Sequence, residues 1–197
     1  LSHGSHHPGS AATGLLTPLH AHPLFTHSPD HNDSMTMKAC IYGAGAIGGW
    51  LGVALAQAGN PVSLVARGAT LAALQSDGLR LRRPDGTVAQ VAVTAAADPA
   101  ALGVQDLVVV AVKAPGLPEV ARAMAPLIGP DTIVLTAMNG VPWWFFQGFG
   151  GALAGTPLPA VDPHGAMAHA VPARHVLGGV VHASCSVDAP GVVRHHF

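Results

Sequence analysis

The feature that most constrains this chain is a glycine-rich turn between a short apolar run and a longer periodic one. Residues 39–42 are apolar and predict a buried strand. The turn at residues 43–48 reads G-x-G-x-x-G, and Gly59-Asn60 then ends a segment of helical periodicity. The apolar positions of that segment, which predict its inner face, are Ile47, Leu51, Ala54, Leu55 and Ala58. Strand, glycine turn and helix in this order are the context in which the motif predicts dinucleotide binding.

Each glycine of the motif has a distinct expected task. Gly43 permits the tight turn, Gly45 lets the backbone approach a pyrophosphate, and Gly48 lets the helix pack close to the strand. The amide groups at the start of the helix would then face the phosphates. The candidate phosphate-binding residues are Gly43, Ala44, Gly45, Ala46, Ile47 and Gly48. The alternative is a glycine-rich turn in an α/β protein of another kind.

Strand and helix patterns alternate through the middle of the chain. Strands are predicted at residues 61–66, 106–112 and 132–136, with helices at 70–75 and 116–128. The second of these strands is almost continuously β-branched, as expected for a parallel strand buried on both faces. The fold class is therefore predicted as α/β, a Rossmann-type doubly wound and mostly parallel sheet.

The remaining segments predict smaller elements. Residues 79–82 and 88–93 form an expected hairpin. The Arg80, Arg82 and Arg83 cluster is expected to be its solvated face, the alternative being extra phosphate contacts. Residues 147–173 are expected to be loop, and residues 176–186 and 192–196 are predicted as two strands around Pro190-Gly191. The aromatic run at 141–146 is consistent with core packing, a pocket wall or an interface.

The end of the strand predicted at residues 61–66 indicates which dinucleotide binds. An NAD-binding unit usually places an acid there for the ribose 2′-hydroxyl, whereas this chain has Arg67. A guanidinium pairs with a 2′-phosphate through forked, charge-assisted hydrogen bonds. NADP is therefore favoured over NAD, the alternative being that Arg67 is simply a solvated residue.

Two polar residues follow the buried strands. Lys113 comes directly after the strand at 106–112, and Asn139 follows the strand at 132–136. Ligands of open α/β sheets bind outside the carboxyl ends of the strands, so both are candidate contacts to cofactor or substrate. Asn139-Gly140 is equally consistent with plain turn chemistry.

Composition argues against several function classes. A formal net charge of −1 gives no electrostatic basis for binding nucleic acid or an anionic membrane. Cys40 and Cys185 form no metal or redox motif, which favours a reduced, cytoplasmic setting. Residues 1–34 hold seven of the thirteen histidines, and we expect a disordered or non-native leader without a defined metal site. Residues 35–197 are expected to form the NADP-binding domain.

With these motifs placed, the chain resembles the amino-terminal domain of the 2-dehydropantoate 2-reductase (ketopantoate reductase) family. The resemblance starts near Met37 and rests on the order and spacing of five short motifs. They are Gly43-Ala-Gly-Ala-Ile-Gly-Gly49, Val65-Ala-Arg-Gly68, Val112-Lys-Ala114, Asn139-Gly-Val-Pro142, and Gly178-Gly-Val-Val-His182 leading to Pro190-Gly191.

The resemblance implies reduction of ketopantoate to pantoate with NADPH, in the pathway to pantothenate and coenzyme A. It implies that Arg67 meets the 2′-phosphate and that Lys113 and Asn139 line the nicotinamide end of the cleft. The family's helical carboxyl-terminal domain, which carries its general acid, has no counterpart here, so no catalytic residue is assigned. A homodimer is left open. The alternatives are another NAD(P)-dependent hydroxyacid dehydrogenase, or a non-catalytic nucleotide-binding module with a partner on Trp143-Trp144.

Overall fold

The computed structural model describes residues 36–148 and 151–197, and its strands and helices follow the predicted alternation. The strands are β1 (Ala39–Tyr42), β2 (Val62–Val65), β3 (Leu79–Arg82), β4 (Val88–Val91), β5 (Thr94–Ala96), β6 (Leu107–Val110), β7 (Ile133–Ala137), β8 (Val176–Gly179), β9 (Cys185–Ala189) and β10 (Val192–His195). The α-helices are α1 (Ala46–Gln57), α2 (Gly68–Asp77), α3 (Leu117–Ala123) and α4 (Ala166–Ala170).

Six of these strands form an all-parallel sheet in the order β5-β2-β1-β6-β7-β8. The chain moves outward from β1 to β2 and β5, and then returns to the other side of β1 to add β6, β7 and β8. This is the doubly wound order of a Rossmann-type fold, so the predicted fold class is confirmed. The order reverses at β1, the strand that leads into the glycine turn.

Alternating side chains of the central strands supply a core on each face of this sheet. Ala39 and Ile41 of β1 pack with α1 and α2, whereas Cys40 and Tyr42 pack with α3 and α4. The strand period of two explains this division. Because both faces are covered, β1, β2 and β6 are buried along their whole length.

A second sheet of four strands, in the order β4-β3-β10-β9, lies against the other side of α1. The predicted hairpin of β3 and β4 is antiparallel, and β10 pairs parallel with β3 and antiparallel with β9. Helix α1 is thus held between two sheets. Its glycines make this possible, because Gly48 faces Ile41 of β1 whereas Gly49 faces Val193 of β10.

The structure corrects four expectations about these elements. The fully buried residues of α1 are Gly48, Gly49, Gly52 and Val53, which the periodicity did not indicate. Of the predicted positions, Ile47, Leu51 and Leu55 pack against the core, whereas Ala54 and Ala58 are exposed. The strand predicted at 176–186 is divided into β8 and β9, which belong to different sheets.

The strand predicted at 88–93 stops at Val91, and the unpredicted β5 follows in the parallel sheet. The predicted loop at 147–173 contains α4, whose first amides are capped by the buried Asp162 carboxylate.

Two further findings concern possible cofactors and membranes. Within residues 36–148 and 151–197, no group of three or more His, Cys, Asp or Glu side chains is placed to hold a metal ion. No helix in this described part has the length and apolarity needed to cross a bilayer. The leader expected at residues 1–34, with its histidine pairs, lies outside the described residues.

Candidate functional site

The turn after β1 has a conformation that glycine alone adopts readily. Gly43 has φ +112°, and a Cβ built on it would lie 2.9 Å from the carbonyl oxygen of Ala111. A Cβ on Gly48 would overlap the carbonyl oxygen of Gly43 and lie 2.8 Å from Cγ2 of Ile41. The first position therefore needs left-handed backbone, and the second needs a close approach between helix and strand.

Gly45 faces open space. A Cβ built on this residue would meet no atom of residues 36–148 or 151–197 within 4 Å, and its backbone is extended at φ −85°. Gly45 is also the N-cap residue of α1, and among the described residues no side chain caps the helix. The first amide groups of α1 are therefore available to an anion, and the helix dipole favours negative charge there. These features fit a pyrophosphate.

A cleft of about 790 Å³ opens at this point, along the carboxyl ends of β1, β6 and β7. It lies at the switch point of the sheet, where open α/β proteins bind their ligands. Its walls come from the glycine turn, the segments after β6 and β7, and β9 with the segment before it. The lining residues are Gly43, Gly45, Ala46, Ile47, Ala111, Val112, Lys113, Ala114, Ala137, Met138, Asn139, Val181, Ala183, Cys185, Ser186 and Val187.

The cleft brings together most of the predicted site residues. Lys113 is exposed on its rim, and no ion pair within the described residues includes its ammonium group. Ala44 and Gly48 do not line the cleft, because Ala44 packs against the core and Gly48 is buried under the turn. Lys113 is thus a cation at the carboxyl end of β6, available to an anionic group of a ligand.

Asn139 lies on the same cleft and its amide group has a structural partner. Its Nδ2 donates to the carbonyl oxygen of Val181 at 3.1 Å, and its Oδ1 accepts from the amide of Val181 at 2.8 Å. This pair ties the end of β7 to the segment between β8 and β9. One N–H of Asn139 remains for a ligand, and the side chain also holds a wall of the cleft in place.

Arg67 lies apart from the cleft, at the carboxyl end of β2, where it is the N-cap residue of α2. Its guanidinium forms an ion pair with the carboxylate of Glu119 on α3. The Arg67 side chain is 62% exposed and that of Glu119 is 45% exposed. Because β2 and β6 flank β1 in the sheet, this pair spans the end of β1.

Tyr42, the last residue of β1, lies close to this ion pair. Tyr42 is 5% exposed, and its hydroxyl has no hydrogen-bond partner among the described residues. Burial raises the pKa of the Tyr42 hydroxyl, and the negative charge of Glu119 raises it further, partly offset by Arg67.

Sequence reasoning missed Glu119 and the β9 residues of the cleft. Glu119 is the only glutamate of the chain, but its proximity to Arg67 depends on the order of β2, β1 and β6. The β9 residues were missed because the strand pattern of 176–186 does not show which sheet each part joins. No sequence signal identified this wall.

The aromatic and arginine clusters take structural roles. Trp143 is 2% exposed within the core between the parallel sheet and α3, and Trp144 lies against Gly178 of β8. Neither residue lines the cleft. The arginines have partners at the surface: Arg80 pairs with Asp77, Arg82 with Asp188, and Arg83 with Gln57.

The fold and the site define a class of protein: a Rossmann-type domain with a glycine turn, an uncapped helix and a cleft at its switch point. Residues 39–143 match the family model described as "Ketopantoate reductase PanE/ApbA". The chain belongs to this family.

Individual relatives agree with the family assignment. The chain is 51% identical to a 2-dehydropantoate 2-reductase of Mesorhizobium japonicum, over 81% of this chain and 49% of that protein. The corresponding Halobacterium salinarum protein is 32% identical over 81% of this chain and 46% of that protein. A crystal structure of a candidate ketopantoate reductase from Ralstonia solanacearum MolK2 is 57% identical, with a TM-score of 0.77, over 81% of this chain and 49% of that one. The chain spans about half the length of the curated relatives it matches.

Proposed function

We propose that this chain is the NADPH-binding part of an enzyme that reduces 2-dehydropantoate to pantoate in the pathway to pantothenate and coenzyme A. The observation that carries the proposal is the glycine turn, which opens into a cleft at the switch point of the sheet. Membership of the ketopantoate reductase family supports the substrate. The two free cysteines support a cytoplasmic location. A homodimer remains a prediction.

In this proposal the glycine turn and α1 bind the pyrophosphate. The amides of Ala46 and Ile47 donate to phosphate oxygens, and the open side of Gly45 lets these oxygens approach the backbone. Residues 43–48 thereby fix the register of the dinucleotide on the sheet edge. The glycine turn contributes to the reaction by positioning the dinucleotide, because this orients the nicotinamide ring relative to the substrate.

Lys113 and Asn139 serve the nicotinamide end of the cleft. When bound there, the nicotinamide would supply a hydride to the keto carbon of the substrate. Lys113 supplies positive charge beside the dinucleotide and the anionic keto acid, and Asn139 orients the wall at Val181 while keeping one N–H for a ligand oxygen. The proton for the substrate oxygen is not assigned to a residue of this chain.

Arg67 is the proposed contact for the 2′-phosphate. It occupies the end of β2, where this fold places the adenosine ribose. Its present partner, Glu119, is exposed, and exposed ion pairs are worth about 0–1 kcal/mol. A phosphate can therefore replace the carboxylate at low cost and accept a stronger, forked pair of hydrogen bonds.

The test is to titrate Arg67→Ala with NADPH and with NADH. Loss of a charge-assisted contact worth about 1.5–3 kcal/mol should raise the Kd for NADPH by roughly 10- to 100-fold. The Kd for NADH should change by less than about twofold, because NADH has no 2′-phosphate.

Arg174→Ala is the matched control. Arg174 is also an exposed arginine, but it precedes β8 at the opposite edge of the sheet. Its replacement should leave both dissociation constants unchanged. Equal losses for NADPH and NADH in Arg67→Ala would reject the role of Arg67, and absence of saturable NADPH binding to the unmodified chain would reject the function.

A further inference from the structure

Glu119 brings a carboxylate to the place where the sequence lacks one. No acid follows β2, and Arg67 stands there instead. In the folded chain, however, α3 places the carboxylate of Glu119 against the Arg67 guanidinium, across the end of β1. The carboxylate that a ribose 2′-hydroxyl requires is therefore present beside Arg67, although it comes from a distant part of the chain.

Tyr42 provides a second observation at the same point. Its hydroxyl is buried without a partner among the described residues, next to the charges of Glu119 and Arg67. Buried hydroxyl groups are normally hydrogen-bonded, so an unpartnered one indicates that a ligand supplies the missing hydrogen-bond partner. A ligand oxygen that separates Arg67 from Glu119 would arrive close to this hydroxyl.

We propose that Glu119 is a specificity-determining residue that narrows the preference of this chain for NADPH over NADH. The inference rests on the proposed function. With NADPH, the carboxylate competes with the 2′-phosphate for the guanidinium of Arg67 and repels the phosphate. With NADH, the same carboxylate accepts a hydrogen bond from the 2′-hydroxyl.

The charges of the two ligands explain the opposite effects. The 2′-phosphate is an anion close to a second anion, and both side chains are partly exposed, so the repulsion is screened by solvent and salt. A ribose hydroxyl is a neutral donor, for which a carboxylate is a better acceptor than an amide. Neutralising Glu119 should therefore increase the ratio of the Kd for NADH to the Kd for NADPH.

The experiment measures Kd for NADPH, NADH, 2′,5′-ADP and 5′-AMP with the full 197-residue chain and its Glu119→Gln variant. Glu119→Gln should bind NADPH and 2′,5′-ADP about 3- to 10-fold more tightly, and NADH and 5′-AMP about 2- to 5-fold more weakly. The gain for NADPH should shrink as the salt concentration rises.

Asp77→Asn is the matched control. Asp77 also forms an exposed ion pair, with Arg80, and lies at the far end of the ten-residue helix α2. Its replacement removes the same charge from the chain about 15 Å from Arg67 along the helix axis. All four dissociation constants should stay within about twofold of those of the unmodified chain.

The possible failures are distinct. If the unmodified chain binds NADPH, and Arg67→Ala weakens that binding, an unchanged or reduced NADPH preference in Glu119→Gln overturns the inference alone. Such a result would mean that Glu119 only orients Arg67. If no dinucleotide binds the unmodified chain saturably, the proposed function and the inference both fail.

Discussion

At the scale of single residues, the sequence predicts backbone requirements better than side-chain partners. The expected tasks of Gly43, Gly45 and Gly48 follow from spacing, and the positive φ, open side and close packing seen at these positions have the same local origin. The position of Arg67 is local as well, because it lies two residues beyond β2 and caps α2. Its pairing with Glu119 is not, because 52 residues separate them and only the sheet order brings them together.

Two alanine substitutions in the glycine turn should differ in how much they lower stability. Gly48→Ala places a methyl group into the carbonyl of Gly43 and against Ile41, and overpacking of this kind should lower the free energy of unfolding by roughly 1–3 kcal/mol. Gly45→Ala places its methyl group into open space and should cost less than about 1 kcal/mol of stability.

The two variants separate stability from binding when each is followed by urea unfolding and NADPH titration. Gly45→Ala should fold normally and yet weaken NADPH binding by about tenfold or more, because the methyl group occupies the proposed approach of the pyrophosphate. Normal NADPH affinity in Gly45→Ala would contradict that approach.

At the scale of elements, apolar runs reveal which strands exist but not which sheet they join. The central strand β6 is predictable because it is apolar on both faces and buried along its whole length. Nothing in the run at 176–186 shows that its two parts, β8 and β9, join different sheets. The inner face of α1 was predicted in part: Ile47, Leu51 and Leu55 pack against the core, whereas the closest contacts are made by glycines, which hydrophobic periodicity does not register.

The contact between α1 and β10 can be tested by coupled substitutions. A Cβ on Gly49 would lie 2.7 Å from Cγ1 of Val193. Gly49→Ala should therefore destabilise the chain by roughly 1–3 kcal/mol through overpacking. Val193→Ala should cost about 2 kcal/mol because it removes buried methyl groups.

The double variant should be less destabilised than the sum of the two single variants, by about 1 kcal/mol or more, since truncation of Val193 makes room for the new methyl group. Urea unfolding of the four chains gives this coupling energy. Strict additivity would show that α1 shifts away from β10 instead of pressing against it.

At the scale of the whole molecule, the two ends of the parallel strands have different roles. The carboxyl ends carry the cleft. The amino ends of β6, β7 and β8 are connected by buried polar groups: Thr132 donates to the carbonyl oxygen of Gln105 at 2.6 Å, and His175 Nδ1 contacts the carbonyl oxygen of Thr132 at 2.8 Å. Strand and helix alternation predicted the doubly wound class because each unit buries its own apolar face. It could not predict the second sheet, which joins segments more than a hundred residues apart.

The buried thiol of Cys40 on β1 should make the free energy of unfolding fall at alkaline pH. Burial raises the pKa of the Cys40 thiol from 9.0 to about 11, partly offset by a hydrogen bond with Ser63. Between these values the unfolded chain loses a proton that the folded chain retains, so stability present below pH 9 declines as the pH rises towards 11. Two pKa units correspond to about 3 kcal/mol.

Urea unfolding between pH 8 and 11 measures this decline, with pH values chosen around the pKa of Cys40. Cys40→Ala should remove the part of the decline that the Cys40 thiol causes. Cys185→Ala changes a less buried thiol and should leave that part of the decline in place. A decline that persists unchanged in Cys40→Ala would assign it to other groups.

The parallel pairing of β10 with β3 also affects how the chain folds during synthesis. The glycine-bearing helix α1 leaves the ribosome well before β10, yet one of the surfaces it packs against includes Val193 of that strand. Contacts of such long sequence separation form late and slow folding. We therefore expect the nucleotide-binding helix to emerge early but to acquire its final packing only after residues 192–195 have been translated.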